Sequence, residues 1–139
     1  MSTDLHQLTD AQLSETFAVE AAGWEIRTEG MLWHPEQRVA RIIRGSALED
    51  VRRKMSLPMD QCMAPDFATS FDAALPWLEQ WHDADPDRRD VKICLRIGCD
   101  WLVGLRTRKE VWDRWSDSYE VAGPLPRAIA SALLLARRA

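Results

Sequence analysis

The sequence lacks the short motifs that mark most enzymes and metal proteins. It contains no Gly-x-Ser-x-Gly elbow, no glycine-rich phosphate loop and no His-Glu-x-x-His helix. His6, His34 and His82 lie far apart, and none forms a ligand-spaced pair with a cysteine. We therefore expect no catalytic residues, no metal site, no cofactor and no enzymatic activity.

Long apolar runs and a disulfide pattern are also missing. No stretch approaches the roughly 18 apolar residues of a membrane-spanning helix. The opening residues "MSTDLHQLTDAQ" are polar and acidic, which is unlike a signal peptide. Cys62, Cys94 and Cys99 are scattered and odd in number, which is typical of a reducing compartment. These features predict a cytoplasmic protein that is not bound to a membrane.

The chain has no surplus of basic residues. Its 139 residues carry a net charge of −4, with 46% hydrophobic and 29% charged residues. This balance is ordinary for a globular protein, and the length fits a single domain over 1–139. A negative net charge disfavours general nucleic-acid binding, because neutralising phosphates requires excess Lys and Arg.

The first half of the chain predicts a helix, a hairpin and a helical insert. In "LTDAQLSETFAVEAAGW", Thr9 and Gln12 form a capping box, and Gly23 suits a left-handed stop. "WEIRTEGMLWHP" has two short runs around a Thr-Glu-Gly turn, which favours a β-hairpin. Apolar spacing across residues 36–57 indicates a helix that breaks near Gly45-Ser46.

The second half predicts a helix, three strands and a final helix. "TSFDAALPWLEQW" is helical, with Thr69 or Ser70 as its cap. "VKICLRI" and "WLVGLR" alternate cleanly, and a three-residue connection at 98–100 would place Ile97 opposite Trp101. "GPLPRAIASALLLARR" begins with prolines that fit a first helical turn.

These elements predict an α+β fold. We expect an antiparallel sheet of about three to five strands packed with helices as an α-β-α sandwich, in the order α-ββ-(helical insert)-α-βββ-α. The residues expected in the core share matching periodicities and are Leu13, Phe17, Leu75, Leu78, Ile93, Leu95, Val103, Ile129 and Leu133. If Ile93 is fully buried, its replacement by alanine should cost about 2–5 kcal/mol.

Several segments together resemble a known family. "LTDAQLSETFAVEAAGW", the Trp-His-Pro step, "PDFATSFDAALPWLEQW", the strand meander and "GPLPRAIASALLLA" look like the phage ABA-sandwich domain proteins. These are small phage and prophage proteins with an α-β-α layered fold. The resemblance covers nearly the whole chain. It implies a fold and a phage origin, but it carries no established catalytic residues.

One departure from that family pattern concerns the insert at 36–57. In the family, the hairpin usually runs rather directly into the Pro-Asp-Phe segment. Here the insert adds basic residues, namely Arg38, Arg41, Arg44, Arg52, Arg53 and Lys54, against Glu36, Glu49 and Asp50. The insert is expected to pack against the body of the protein, and a docking surface for an acidic partner is the alternative.

The stretch "KEVWDRWSDSYE" predicts a third strand with two tryptophans on opposite faces. Pairing Arg106 with Glu110 places Leu105 opposite Val111 and Trp101 opposite Trp115. This register buries Val111 and Trp115. It also points Asp113 toward the core, which suggests an edge strand, because inward charges on edge strands discourage pairing with other sheets. It exposes Trp112 and Arg114 on a basic face with Lys92, Arg96, Arg106 and Cys94. A register slipped by one would instead bury Trp112.

Three functions fit these observations. The first is a phage or prophage interaction protein that binds or inhibits a host protein or ribonucleoprotein, such as an antiphage defence complex, in an anti-CRISPR-like role. The second is a nucleic-acid-binding module that uses the insert or the sheet face, and the third is a small enzyme without a recognisable motif. The candidate binding residues are Trp112, Arg114, Arg96, Lys92, Arg106, Arg41, Arg52, Arg53 and Trp33.

Overall fold

A computed structural model of the chain describes residues 5–28, 30–98 and 100–139, with only the backbone at residue 60. It combines helices with two three-stranded antiparallel sheets, which confirms the α+β class. The chain divides into two compact units, one ending at Asp66 and the other covering Phe67–Ala139. The expectation of a single domain over 1–139 stays a prediction.

The first unit opens with a short 3₁₀ turn and then a capped helix. Its elements are the turn Leu5–Gln7, α1 Asp10–Glu20, β1 Glu25–Thr28, β2 Met31–His34, β3 Val39–Ile42, α2 Ala47–Lys54 and α3 Met59–Cys62. The capping box at α1 is confirmed, since the Thr9 hydroxyl accepts from the Gln12 N–H and the Gln12 side chain accepts from the Thr9 N–H. Leu13 and Phe17 of α1 are fully buried.

The first half of the insert is a strand rather than a helix, so that part of the prediction is wrong. The hairpin β1–β2 is confirmed, and β3 pairs antiparallel with β2, with Ala40 opposite Trp33. The turn closes because the Arg38 N–H donates to the His34 carbonyl at 2.7 Å and Arg38 adopts a φ of 56°. Periodicity alone cannot distinguish a strand from a helix in a short apolar run, and for this reason the apolar spacing of the insert predicted a helix where a strand forms. Only residues 47–54 form the expected helix.

The second unit stacks helices on one face of its own sheet. Its elements are α4 Phe71–Asp83, β4 Arg89–Arg96, β5 Asp100–Thr107, β6 Asp117–Gly123 and α5 Leu125–Arg138. Ser70 caps α4, and the prolines at the start of α5 occupy its first turn, both as expected. Helix α5 lies on β5 and β6, where Val103, Leu105 and Val121 are buried.

The strand registers differ from the predicted ones. In β4–β5, Leu95 lies opposite Trp101 rather than Val103, a shift of two residues that keeps every side chain on its predicted face. Cys99, in the predicted connection, lies outside the described residues. The predicted third strand exists, but its predicted position is wrong, because residues 108–116 form a loop and β6 begins at Asp117. Leu105 consequently faces Tyr119 rather than Val111.

The predicted core is correct for most positions but fails along β4. Leu13, Phe17, Leu78, Val103, Ile129 and Leu133 are buried. Leu75 is half-buried, whereas Ile93 and Leu95 are 39% and 65% exposed. Both residues sit on the apolar face of an edge strand, and α5 covers β5 and β6 instead. Because Ile93 is not fully buried, the cost expected for its truncation falls below that of a core cavity.

Within the part of the chain that the structure describes, every helix is too short or too polar to cross a bilayer.

Candidate functional site

Residues 108–116 form an ordered loop between β5 and β6, which we call the Trp112 loop. Its base is closed by the Ser116 N–H, which donates to the Thr107 carbonyl at 2.9 Å. Its middle is a reciprocal turn. The Asp113 N–H donates to the Glu110 carbonyl at 3.0 Å, and the Glu110 N–H donates to the Asp113 carboxylate at 3.1 Å. Short-range hydrogen bonds of this kind fix a turn without any strand pairing.

Arg108 anchors the Trp112 loop to the loop before β4. Its Nε donates to the Asp87 carbonyl at 2.8 Å, and its Nη1 reaches the Asp113 carbonyl at 3.4 Å. The same guanidinium lies 4.2 Å from the centroid of the Trp115 ring, and the guanidinium of Arg106 lies 5.3 Å from that centroid. Two cations on one aromatic ring hold Trp115 in place. Trp115 is half-buried against these two arginines, so its predicted burial opposite Trp101 is wrong, and Trp101 pairs with Gly123 instead.

The tip of the Trp112 loop presents two apolar side chains to solvent. Trp112 is 81% exposed and Val111 is 48% exposed. The predicted exposure of Trp112 is confirmed, although the strand invoked for it is not, and the expected burial of Val111 is wrong. Lys109 and Arg114 flank the tip and are exposed as well. A fixed loop that holds a large aromatic side chain in water is typical of a contact surface.

The charges behind the tip are paired with one another. Arg88 lies between Asp85 at 3.8 Å and Glu110 at 3.9 Å. Arg89 donates to the Trp81 carbonyl at 2.8 Å and stacks over the Trp81 ring at 5.0 Å. The tip itself presents the exposed cations Lys109 and Arg114 beside the exposed acidic residues Glu110 and Asp113.

The polar face of the second sheet carries charges of both signs, which corrects the prediction of a basic face. Arg106 forms an ion pair with Asp90, with Nε and Oδ2 2.9 Å apart. Arg96 lies opposite Asp100 in the ladder. Lys92 lies across Gly104 from Glu120, beside a hollow of about 90 Å³. Because Trp112 and Arg114 sit on the loop, they do not join Lys92, Arg96 and Arg106 on this face.

In the first unit, the predicted binding residues serve local structure. Trp33 is half-buried, and the guanidinium of Arg27 lies 5.5 Å from its ring centroid. Arg41 donates to the neighbouring carbonyl of residue 40 at 3.1 Å. Arg52 is buried and donates to the Leu57 carbonyl at 2.8 Å, while its Nε has no partner among the described residues.

Glu49 organises the start of α2. Its carboxylate accepts the Gly45 N–H and forms an ion pair with Arg53, with Nη2 and Oε1 2.9 Å apart. The Gly45 hydrogen bond, supported by Arg53, Arg44 and Arg52, lowers the pKa of Glu49 against the opposing effect of burial. Arg44 is also paired with Asp66 at 3.0 Å. Three of the insert's cations, Arg44, Arg52 and Arg53, are therefore engaged within their own unit.

One hollow in the second unit gathers titratable groups. It measures about 260 Å³ and is lined by Leu78, Glu79, His82, Asp83, Asp90 and Val91. His82 lies 3.2 Å from Asp83, its neighbour in sequence, and Asp90 is engaged by Arg106. None of the six lining residues has a nucleophilic hydroxyl or thiol. Within residues 5–28, 30–98 and 100–139, no cluster of three or more His, Cys, Asp or Glu side chains could hold a metal ion.

Sequence reasoning missed the residues that build the loop. Arg108 carries most of the anchoring, and its main partner, Asp87, lies 21 residues away. Local periodicity contains no trace of such a contact.

Comparisons of the chain with protein-family models, curated proteins and solved structures gave no match.

Proposed function

We propose that this protein is a stoichiometric binding protein that contacts a macromolecular partner through the tip of the Trp112 loop. The observation that carries the proposal is the 81% exposure of Trp112 on a loop whose conformation is fixed by hydrogen bonds. Tryptophan and arginine are enriched among the few residues that dominate binding energy at interfaces.

The anchoring of the loop favours binding in energetic terms. A flexible loop loses conformational entropy on association, and this loss subtracts from the affinity. Here Arg108 and the turn at Glu110 and Asp113 already restrict the backbone before a partner arrives. Burying a tryptophan side chain removes about 150–250 Å² from water. A single anchor of this kind suits a small protein that binds by surface contact.

The chemistry of the tip favours a protein partner with a partly apolar pocket that carries charges of both signs. Lys109 and Arg114 are exposed beside Trp112, and so are the acidic side chains of Glu110 and Asp113. A ribonucleoprotein partner is compatible when its protein part offers such a pocket. Binding to naked nucleic acid has less support, because the net charge is −4 and Arg44, Arg52 and Arg53 of the insert are engaged locally.

The biological setting of this proposal rests on the resemblance to phage ABA-sandwich proteins alone. We propose a phage or prophage protein that acts in the host cytoplasm on a host complex, for example by inhibiting an antiphage defence system. The motif-poor sequence supports a binding role over a catalytic one.

The test is affinity capture from bacterial lysate, followed by binding measurements with the purified partner. We expect Trp112→Ala to weaken binding about 30-fold or more, the range of an interface hot spot. Met55→Ala is the matched control, because Met55 is a large exposed apolar residue of the first unit. Equal binding by the wild type and Trp112→Ala would contradict the proposed site. Failure to recover any partner would contradict the proposed function.

A further inference from the structure

Strand β4 exposes an apolar row at the edge of its sheet. The strand order is β4-β5-β6, so β4 has β5 on one side, and in the described residues no strand lies on its other side. Ile93 and Leu95 point to the apolar face and are substantially exposed, and Ile97, just beyond the strand, is fully exposed. An eight-residue edge with free N–H and C=O groups and bare apolar side chains is a template for another strand.

We propose that this edge pairs antiparallel with the β4 strand of a second copy of the chain, about a two-fold axis at Ile93. A two-fold axis makes each contact occur twice, with the same residues from both copies. In this register Ile93 faces itself, and Val91 faces Leu95 of the second copy. The apolar side chains left exposed on the face would then contact one another, as cross-strand pairs do in a sheet.

Charges on the other face support the same register. Arg96 is exposed and has no ion pair among the described residues, and pairing about Ile93 places it opposite Asp90 of the second copy. Asp90 has a second carboxylate oxygen beyond the one held by Arg106. Lys92 lies opposite Cys94, so no like charges meet within the ladder. Opposite charges directly across a strand pair stabilise it, and like charges destabilise it.

The neighbouring registers are less favourable. An axis at Lys92 brings the two Lys92 side chains together, and an axis at Cys94 sets Lys92 against Arg96 twice. An axis at Leu95 shortens the paired segment and leaves Asp90 beyond its end. An axis at Val91 sets Asp90 against Lys92 but leaves Leu95 and Arg96 beyond the paired segment. Among these registers, the axis at Ile93 is the one that pairs both the apolar row and the opposite charges.

The resulting dimer would be weak and concentration-dependent. One strand pair and a few apolar contacts fall in the class of small interfaces, below about 1,200 Å² of total buried surface. The β4 edge and the tip of the Trp112 loop use different residues, so dimerisation does not depend on the proposed partner binding.

Disulfide trapping tests the register directly. In a background with Cys62, Cys94 and Cys99 changed to serine, Ile93→Cys should crosslink to itself, because directly opposed residues have Cα atoms about 4.5–5.5 Å apart. Leu95→Cys is the matched control. Its counterpart would lie about four residues, or roughly 13 Å, away along the strands, which is too far for a disulfide. Equal crosslinking of both variants, or none of Ile93→Cys, would overturn the register.

Solution mass tests the dimer itself. We expect sedimentation of the wild type to move from monomer to dimer as concentration rises, and Leu95→Lys to weaken the dimer at least tenfold. Leu95 is exposed in the monomer, so this variant should fold normally, as circular dichroism would verify. Selective crosslinking of native Cys94 to itself would overturn the axis at Ile93. A wild type that stays monomeric at every concentration would overturn the proposal.

Discussion

Helix α2 and the Trp112 loop both place arginines beside acidic side chains, but the two segments use them differently. In α2, Glu49 and Arg52 are buried, and their contacts stay within the insert. In the loop, Arg108 reaches a different segment and stacks on Trp115, which leaves Trp112 in solvent. In α2, the polar side chains satisfy one another within the insert. In the Trp112 loop, the arginine contacts hold the apolar side chain of Trp112 in solvent.

The arginines of α2 therefore stabilise the local fold, whereas Arg108 stabilises an exposed surface loop. Counting basic residues in the sequence made the insert an alternative docking surface, because it has six cations against three acids. The contacts of Arg44, Arg52 and Arg53 weigh against that alternative. Charges contribute to recognition when they are exposed and unengaged, whereas Arg44 and Arg53 of the insert are paired with Asp66 and Glu49.

The largest expected loss in stability comes from removing the anchor of the loop. Arg108→Ala deletes two hydrogen bonds to carbonyls and the stack on Trp115. We expect it to lower the free energy of unfolding by about 2 kcal/mol, since the hydrogen bond to the Asp87 carbonyl and the cation–π contact each contribute about 1 kcal/mol at this partly exposed site. Urea unfolding followed by tryptophan fluorescence measures this value.

Arg114→Ala is the control for that experiment, because it removes an exposed cation from the same loop. We expect its free energy of unfolding to stay within about 0.5 kcal/mol of the wild type. Similar losses for Arg108→Ala and Arg114→Ala would show that Arg108 is not a specific anchor. The proposed difference between the arginines of the Trp112 loop and those of α2 would then be unsupported.

A smaller, pH-dependent effect is expected in the insert. Glu49 has a lowered pKa, caused first by the Gly45 hydrogen bond and then by nearby arginines. A carboxylate with a lowered folded-state pKa adds stability above its unfolded pKa and loses that contribution as pH falls through the folded value. Glu49→Gln should therefore cost about 1–2 kcal/mol at neutral pH, and this cost should shrink as acid protonates the folded-state carboxylate.

Asp50→Asn serves as the comparison for Glu49→Gln. Asp50 is exposed on the same helix, 3.8 Å from Arg53, and its removal should change stability little at any pH. Thermal unfolding across a pH series distinguishes the two variants. A loss for Glu49→Gln that persists unchanged in acid would mean that its charge is not what stabilises the start of α2.

The sequence was sufficient where structure depends on neighbours in the chain. The capping box at Thr9, the Ser70 cap and the prolines at the start of α5 are local signals, and all three helices formed where they predicted. Strands β4 and β5 also followed from alternation, because a period of two requires only nearby residues. The error of two residues in their register left every side chain on its predicted face.

The sequence was insufficient where distant contacts decide the structure. Residues 111–116 alternate well enough to suggest a strand, but Arg108 ties this segment to Asp87 and the ladder resumes only at Asp117. The exposure of Leu95 depends on where α5 lies, which strand periodicity does not encode. The sequence correctly predicted that Trp112 is exposed, but it did so from a strand register that does not form. The binding role of Trp112 therefore needs its own experiment.

The smallest expected effect on stability comes from Arg53 of α2. This residue tests whether an exposed arginine of the helix contributes to stability or to partner binding. Its ion pairs with Glu49 and Asp50 are exposed at the arginine end, and its side chain is 64% accessible. Exposed helical ion pairs contribute about 0.3–0.5 kcal/mol, because solvent and salt screen them. We expect Arg53→Ala to change the free energy of unfolding by no more than about 0.5 kcal/mol, an effect that vanishes in high salt.

Lys54→Ala controls for the loss of one positive charge from the same helix. Partner affinity should be unchanged in both variants, whereas a loss of binding in Arg53→Ala alone would return the docking surface to the insert.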